Sequence, residues 1–186
     1  MVKRQLVQSG SPSSARDQPR ALVVALGASN LSRGLSRLVT ICRRCTAKPI
    51  DLFAGAGHGR SYGANSRIWN RRLPSILGSG LWRSLDRNSA SDDLNSTTRL
   101  AVITDIGNDL LYGFSVEQIT AWIEEVVLRL QQRGFHIVIT QLPIESIQAV
   151  GPLRFHILKS ILVPGCQQSL EAVSYTHLTL PTILLV

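Results

Sequence analysis

A chain of 186 residues, 44% of them hydrophobic, has the length of one domain and enough apolar material for an ordinary core, which excludes disorder throughout. The formal net charge of +8 comes mostly from arginines scattered along the chain, without the dense runs of nucleic-acid or membrane-binding arms, so a nucleic-acid partner is not expected. No apolar stretch approaches the roughly 20 residues that cross a bilayer, and Cys42, Cys45 and Cys166 suit a reducing compartment better than a disulfide framework.

Met1 to Arg20 is polar and contains Ser, Pro, Gly and Gln, which predicts a disordered leader. It has no hydrophobic segment and so is no secretory signal, which makes a cytoplasmic location the expectation. Ala21 to Gly27 is an uncharged run that reads as a strand buried on both faces, as in a parallel sheet covered by helices. Ser29 falls at the strand-to-helix turn, where strand carboxyl ends and helix amino ends converge and ligands bind in open α/β sheets. Leu31, Leu35, Leu38, Val39 and Cys42 then recur at helical spacing, predicting a helix to about Arg44.

Pro49 to Ala54 predicts a second strand, followed by a glycine-rich loop, GAGHGRSYG, with Gly55, Gly57, Gly59 and Gly63. Ile76, Leu77, Leu81, Trp82 and Leu85 suggest a helix that Gly78 and Gly80 weaken, and Arg87 to Thr98 reads as a polar loop. Leu100 to Thr104 is the third predicted strand and ends in Asp105, Ile106, Gly107, Asn108 and Asp109. Ser115 and Gln118 form a capping-box pattern ahead of an apolar stripe from Val116 to Leu130, which Gly134 stops. Ile137 to Leu142 predicts a fourth strand closed by Pro143, and Pro152 starts a helical pattern with Leu153, Ile157 and Ile161. The alternation argues for a three-layer α/β/α fold with a mostly parallel, doubly wound, flavodoxin-like sheet.

Val173 to Val186 (VSYTHLTLPTILLV) resembles translated sequencing-adapter read-through. The native domain is therefore expected over residues 21–172, without a fifth strand and final helix, and 173–186 as a non-native tail.

Three strand ends in chain order offer Ser29, the loop around Gly57 and Gly59, and Asn108. Acyl transfer needs a nucleophilic hydroxyl and preorganised donors for the oxyanion, and Ser29 N–H, a glycine N–H and the Asn108 amide supply that set. Singly, Ser29 also fits a helix N-cap and Asn108 a tight turn. Their order at corresponding strand ends favours the catalytic reading, and all three are expected to face one cleft.

The ordered set resembles the SGNH hydrolases, the GDSL-like esterases and lipases. Gly27, Ala28, Ser29 and Asn30 match the first motif, with alanine for the usual aspartate. Gly59, Arg60 and Ser61 best match the second, with Gly57 a rival, and Gly107, Asn108 and Asp109 match the third with one residue fewer. The resemblance spans Ala21 to Leu142. It implies an SGNH-type α/β fold acting on a small-molecule ester, with Ser29 as nucleophile and oxyanion donor, Gly59 and Asn108 completing the hole, and no metal or organic cofactor. The family's Asp-x-x-His motif, which supplies the base and its orienting acid, is absent; none of His58, His136, His156 and His177 has an aspartate three residues before it. This chain is therefore expected to be inactive.

The competing expectation is a non-catalytic anion- or nucleotide-binding α/β module, in which the same strand-end N–H groups hold phosphate. A dinucleotide site in the glycine loop lacks the acidic residue at the next strand end. Cys42-Arg-Arg-Cys45 falls late in the first predicted helix, away from the amino end that would stabilise a thiolate, so these cysteines read as structural.

Overall fold

The structure, a computed structural model, describes residues 20–68, 71–89 and 98–140. Nearly all of the leader, the segment from 141 onward with Cys166, and the tail lie outside the described residues; Arg20, the last leader residue, pairs with Asp51 at 3.0 Å.

The uncharged run forms β1 (Ala21–Leu26), and all six of its residues are buried. It is an inner strand, with β2 (Ile50–Gly55) parallel on one side and β5 (Thr98–Ile103) parallel on the other. β6 (His136–Ile139) runs parallel beyond β5, giving the order β2-β1-β5-β6. Leu26 is in register with Gly55 and with Ile103, so the carboxyl ends of β2, β1 and β5 are level.

α1 (Ser29–Cys45) carries the chain from β1 to β2, and α3 (Val116–Gln131) carries it from β5 to β6 in the opposite direction across the sheet. Right-handed crossovers therefore put them on opposite faces, which makes the three layers of a flavodoxin-like α/β fold. Leu22, Val24 and Leu26 join Ile103 against Leu85 of α2 (Leu81–Ser89) and Ile119, Ile123 and Val126 of α3 in one buried cluster. Among the described residues no helix is long and apolar enough to cross a membrane.

The polar segment between β2 and β5 departs from expectation. Ile76 and Leu77 are not helical: their N–H groups donate to Ser61 O and Tyr62 O, and α2 starts only after Gly78 and Gly80, at Leu81. The helix then takes Arg87 to Ser89, and β5 takes Thr98, from what reads as loop. A short antiparallel hairpin, β3 (Ser66–Ile68) and β4 (Arg71–Leu73), stands where no strand was expected. The start of α3 matches its pattern, with Ser115 Oγ accepting from Gln118 N at 3.3 Å, and Gly134 takes φ +72° just past the helix.

The glycine loop is pinned to α3 at Gly63, where an added Cβ would overlap the Trp122 indole. Trp122 has little freedom to retreat, because it is held edge-on against Phe114 at 4.8 Å between ring centroids. Gly63→Ala should therefore destabilise the fold by about 2 kcal/mol through overpacking. Denaturant unfolding measures this, and a variant as stable as the parent would show that Trp122 moves freely.

Candidate active site at the carboxyl rim

At the rim, Gly27 N donates to Gly55 O at 3.1 Å and Thr104 N to Leu26 O at 2.9 Å, extending both pairings past the strands. Gly27 is required there by close approach, since a Cβ would lie 2.7 Å from Thr104 Cγ2. Ala28 follows, buried, and Ser29 opens α1 half-buried.

Ser29 does not cap the helix. The N-cap is Ala28, which has no side chain for the purpose, and the first turn of α1 has no acidic residue. The cap comes from across the sheet: the Asp105 carboxylate accepts from Ala28 N at 2.8 Å, Leu31 N at 3.1 Å and Asn30 Nδ2 at 2.9 Å. A carboxylate at this place satisfies orphan N–H groups and complements the helix dipole. The Ser29 hydroxyl is thus released from the duty that most often explains a serine in such a turn.

Gly59 lies after β2 with φ +66°, in the turn closed by Arg60 N donating to Gly57 O at 3.1 Å. That conformation favours glycine at 59. At 57 a Cβ would make only ordinary contacts, the nearest at 3.5 Å, so this turn does not demand glycine there.

Asn108 lies in a 3₁₀ helix, Ile106–Tyr112, directly beyond β5. Its Nδ2 is 3.4 Å from Arg60 O, a long hydrogen bond, and the same side chain hydrogen-bonds Tyr112. Tyr112 Oη donates to Gly59 O at 3.0 Å, so the Gly59–Arg60 segment and the Asn108 segment are tied twice. Asn108 N donates to Asp105 O at 3.1 Å, while the Asp105 side chain holds the Ser29 turn. The segments that carry Gly59 and Asn108 are therefore brought together, and the Ser29 turn is linked to Asn108 through Asp105.

Beneath the rim, the Tyr62 hydroxyl lies 2.6 Å from Thr104 O and 3.1 Å from Leu26 O, bridging the ends of β5 and β1. Burial, then the charges of Asp105 and Asp109, hold its phenol well above the ordinary range, so it serves as a neutral donor. Asp109 is fully buried and accepts from Tyr62 N at 2.9 Å. Burial pushes its carboxyl up, opposed by the Ser61 hydroxyl and the Tyr62 N–H. Tyr112 is likewise raised by burial, with Asn108 opposing.

Asp105, Tyr62 and Tyr112 are absent from the sequence reading of the site. Their partners lie some 36 to 77 positions away, so no local pattern marks them. Among the described histidines, His58 is exposed beside Gly59, whereas His136 is exposed at the start of β6, toward the opposite end of the sheet. His156 and His177 lie outside the described residues. Among the described residues no group of three or more His, Cys, Asp or Glu could hold a metal ion. Cys42 is raised by burial and then by Cys45, at the far end of α1 from the site.

Asp109 generates a pH prediction. Its carboxyl is raised in the folded state, so its contribution to stability is present below the unfolded carboxyl pKa, about 3.9, and is lost as pH rises through the folded value. Asp109→Asn keeps an acceptor for Tyr62 N and removes the titration. Its melting temperature should fall less than the parent's between about pH 4 and pH 7. Equal pH dependence in thermal melts would contradict the assignment.

Comparison with protein-family models and with curated proteins finds no match to the chain.

Proposed function

We propose that the chain is an ester hydrolase domain of SGNH type, with Ser29 as nucleophile and a neutral small-molecule ester as substrate. The observation that carries this reading is the turn at Ser29: the serine heads α1 at the end of an inner strand, yet Asp105 does the capping. The hydroxyl is then left for chemistry. In this reading Ser29 attacks the ester carbonyl, and Ser29 N–H, Gly59 N–H and the Asn108 amide receive the developing oxyanion. Tyr62 and Tyr112 act on the donors rather than on substrate, by fixing the strand ends and the Gly59 carbonyl.

No Asp-x-x-His motif supplies this nucleophile with a base. A serine hydroxyl is weak until a positioned imidazole takes its proton, and that imidazole needs a partner to hold its tautomer. The sequence holds no Asp-x-x-His, and loss of general-base help alone lowers the rate by about 10²- to 10⁴-fold. The anion-binding alternative is less favoured at the amino end of α1, because the Ala28 and Leu31 N–H groups are taken by Asp105.

The test is hydrolysis of a short activated ester by this chain with and without added imidazole as external base, each with and without Ser29→Ala. Ser29-dependent turnover is expected with imidazole, with little or none in its absence. Turnover insensitive to Ser29→Ala with imidazole would overturn the assignment. Equal Ser29-dependent turnover in both would show that one of the four histidines is the base.

A further inference from the structure

The geometry points to Asp105 as a specificity-determining residue: its carboxylate fills the anion position at the amino end of α1 and closes it to phosphate-bearing ligands, leaving the rim beside Ser29 to uncharged groups. In open α/β folds the turn after an inner strand presents helix N–H groups and the positive end of the dipole, and free phosphate groups settle there. Here an internal anion occupies that position. Two backbone N–H groups and one side-chain amide converge on the Asp105 carboxylate at 2.8, 3.1 and 2.9 Å.

The backbone at Asp105 is built for this contact. It is at φ 59°, the one non-glycine residue with positive φ among the described residues, and the left-handed turn is where β5 passes into the 3₁₀ helix. Aspartate tolerates that conformation better than most side chains, but such a conformation persists only where the surroundings over-determine it. Its surroundings here are the α1 N–H groups on one side and Asn108 N on its own carbonyl on the other.

The consequence is selective. A phosphate dianion would have to displace the carboxylate from Ala28 N and Leu31 N or accept its repulsion at close range. A developing oxyanion differs, because it carries one charge and is met, in the proposed function, by the Ser29 and Gly59 N–H groups and the Asn108 side-chain amide, which the Asp105 carboxylate does not occupy. The inference rests on the turn and not on ester hydrolysis, and its test does not read activity, so either reading can fail alone.

The test is a titration with inorganic phosphate at constant ionic strength, followed by backbone amide NMR signals of residues 28–31, in the parent chain, Asp105→Asn and Asp105→Gly. Both substitutions suit a positive φ, and the two together guard against a folding defect in one. The parent should show no saturable shift at these amides, and a folded variant should show one, with affinity at least roughly tenfold above the parent's limit. Saturable phosphate binding at these amides in the parent would overturn the proposal. So would folded variants that bind no better than the parent. Failure of both variants to fold would overturn it too, since the carboxylate would then be a structural cap and not a filter.

Discussion

The arrangement at the rim depends on one interaction, the Asp105 carboxylate held by the amino end of α1. The contact joins two parts of the chain that lie 74 to 77 residues apart and become neighbours only because β5 pairs with β1. A helix with alanine at its N-cap and no acid in its first turn would otherwise leave its first N–H groups to water. Supplying the anion from the next strand satisfies them and fixes the approach of the 3₁₀ helix to Ser29. It also frees the serine from capping, so one contact serves both stability and the chemistry assigned to the site.

A second, buried layer supports the first. Tyr62 bridges the carbonyls of Leu26 and Thr104 with its hydroxyl and donates its N–H to Asp109, so the glycine loop, β1, β5 and the 3₁₀ helix meet at one side chain. Paired buried polar groups hold a structure in one arrangement, and the Tyr62 contacts run through the segments that carry Gly59 and Asn108. The site on this account is a property of three level strand ends and of the two polar residues, Asp105 and Tyr62, that lock them.

The sequence made the sheet legible where a period was long enough to be read. The fully apolar β1, the stripe of α3 and its Ser115 cap are local signals, and all appear within a residue or two of their expected limits. The segment between β2 and α2 was illegible for a physical reason: strands of three residues such as Arg71–Leu73 carry no measurable alternation. Ile76 and Leu77 gave a helical signal because they are apolar, but their backbone is spent on Ser61 and Tyr62. Gly-Asn-Asp reads as a turn, and only its tertiary partners make it a 3₁₀ helix. For the proposed site, Ser29, Gly59 and Asn108 stand out in the sequence by their order at strand ends, whereas Asp105, Tyr62 and Tyr112 act through partners that no sequence window contains.

The proposed function rests on Ser29 as the nucleophile of an ester-cleaving site. The most direct measurement is covalent labelling with a neutral alkyl fluorophosphonate, which forms an Oγ–P bond with an activated serine and loses fluoride, followed by peptide mass mapping. With imidazole added as external base, the folded chain should carry a single adduct, on Ser29. An adduct on another serine, such as the buried Ser61 of the glycine loop, or no adduct at all in the folded chain under those conditions, would contradict this reading.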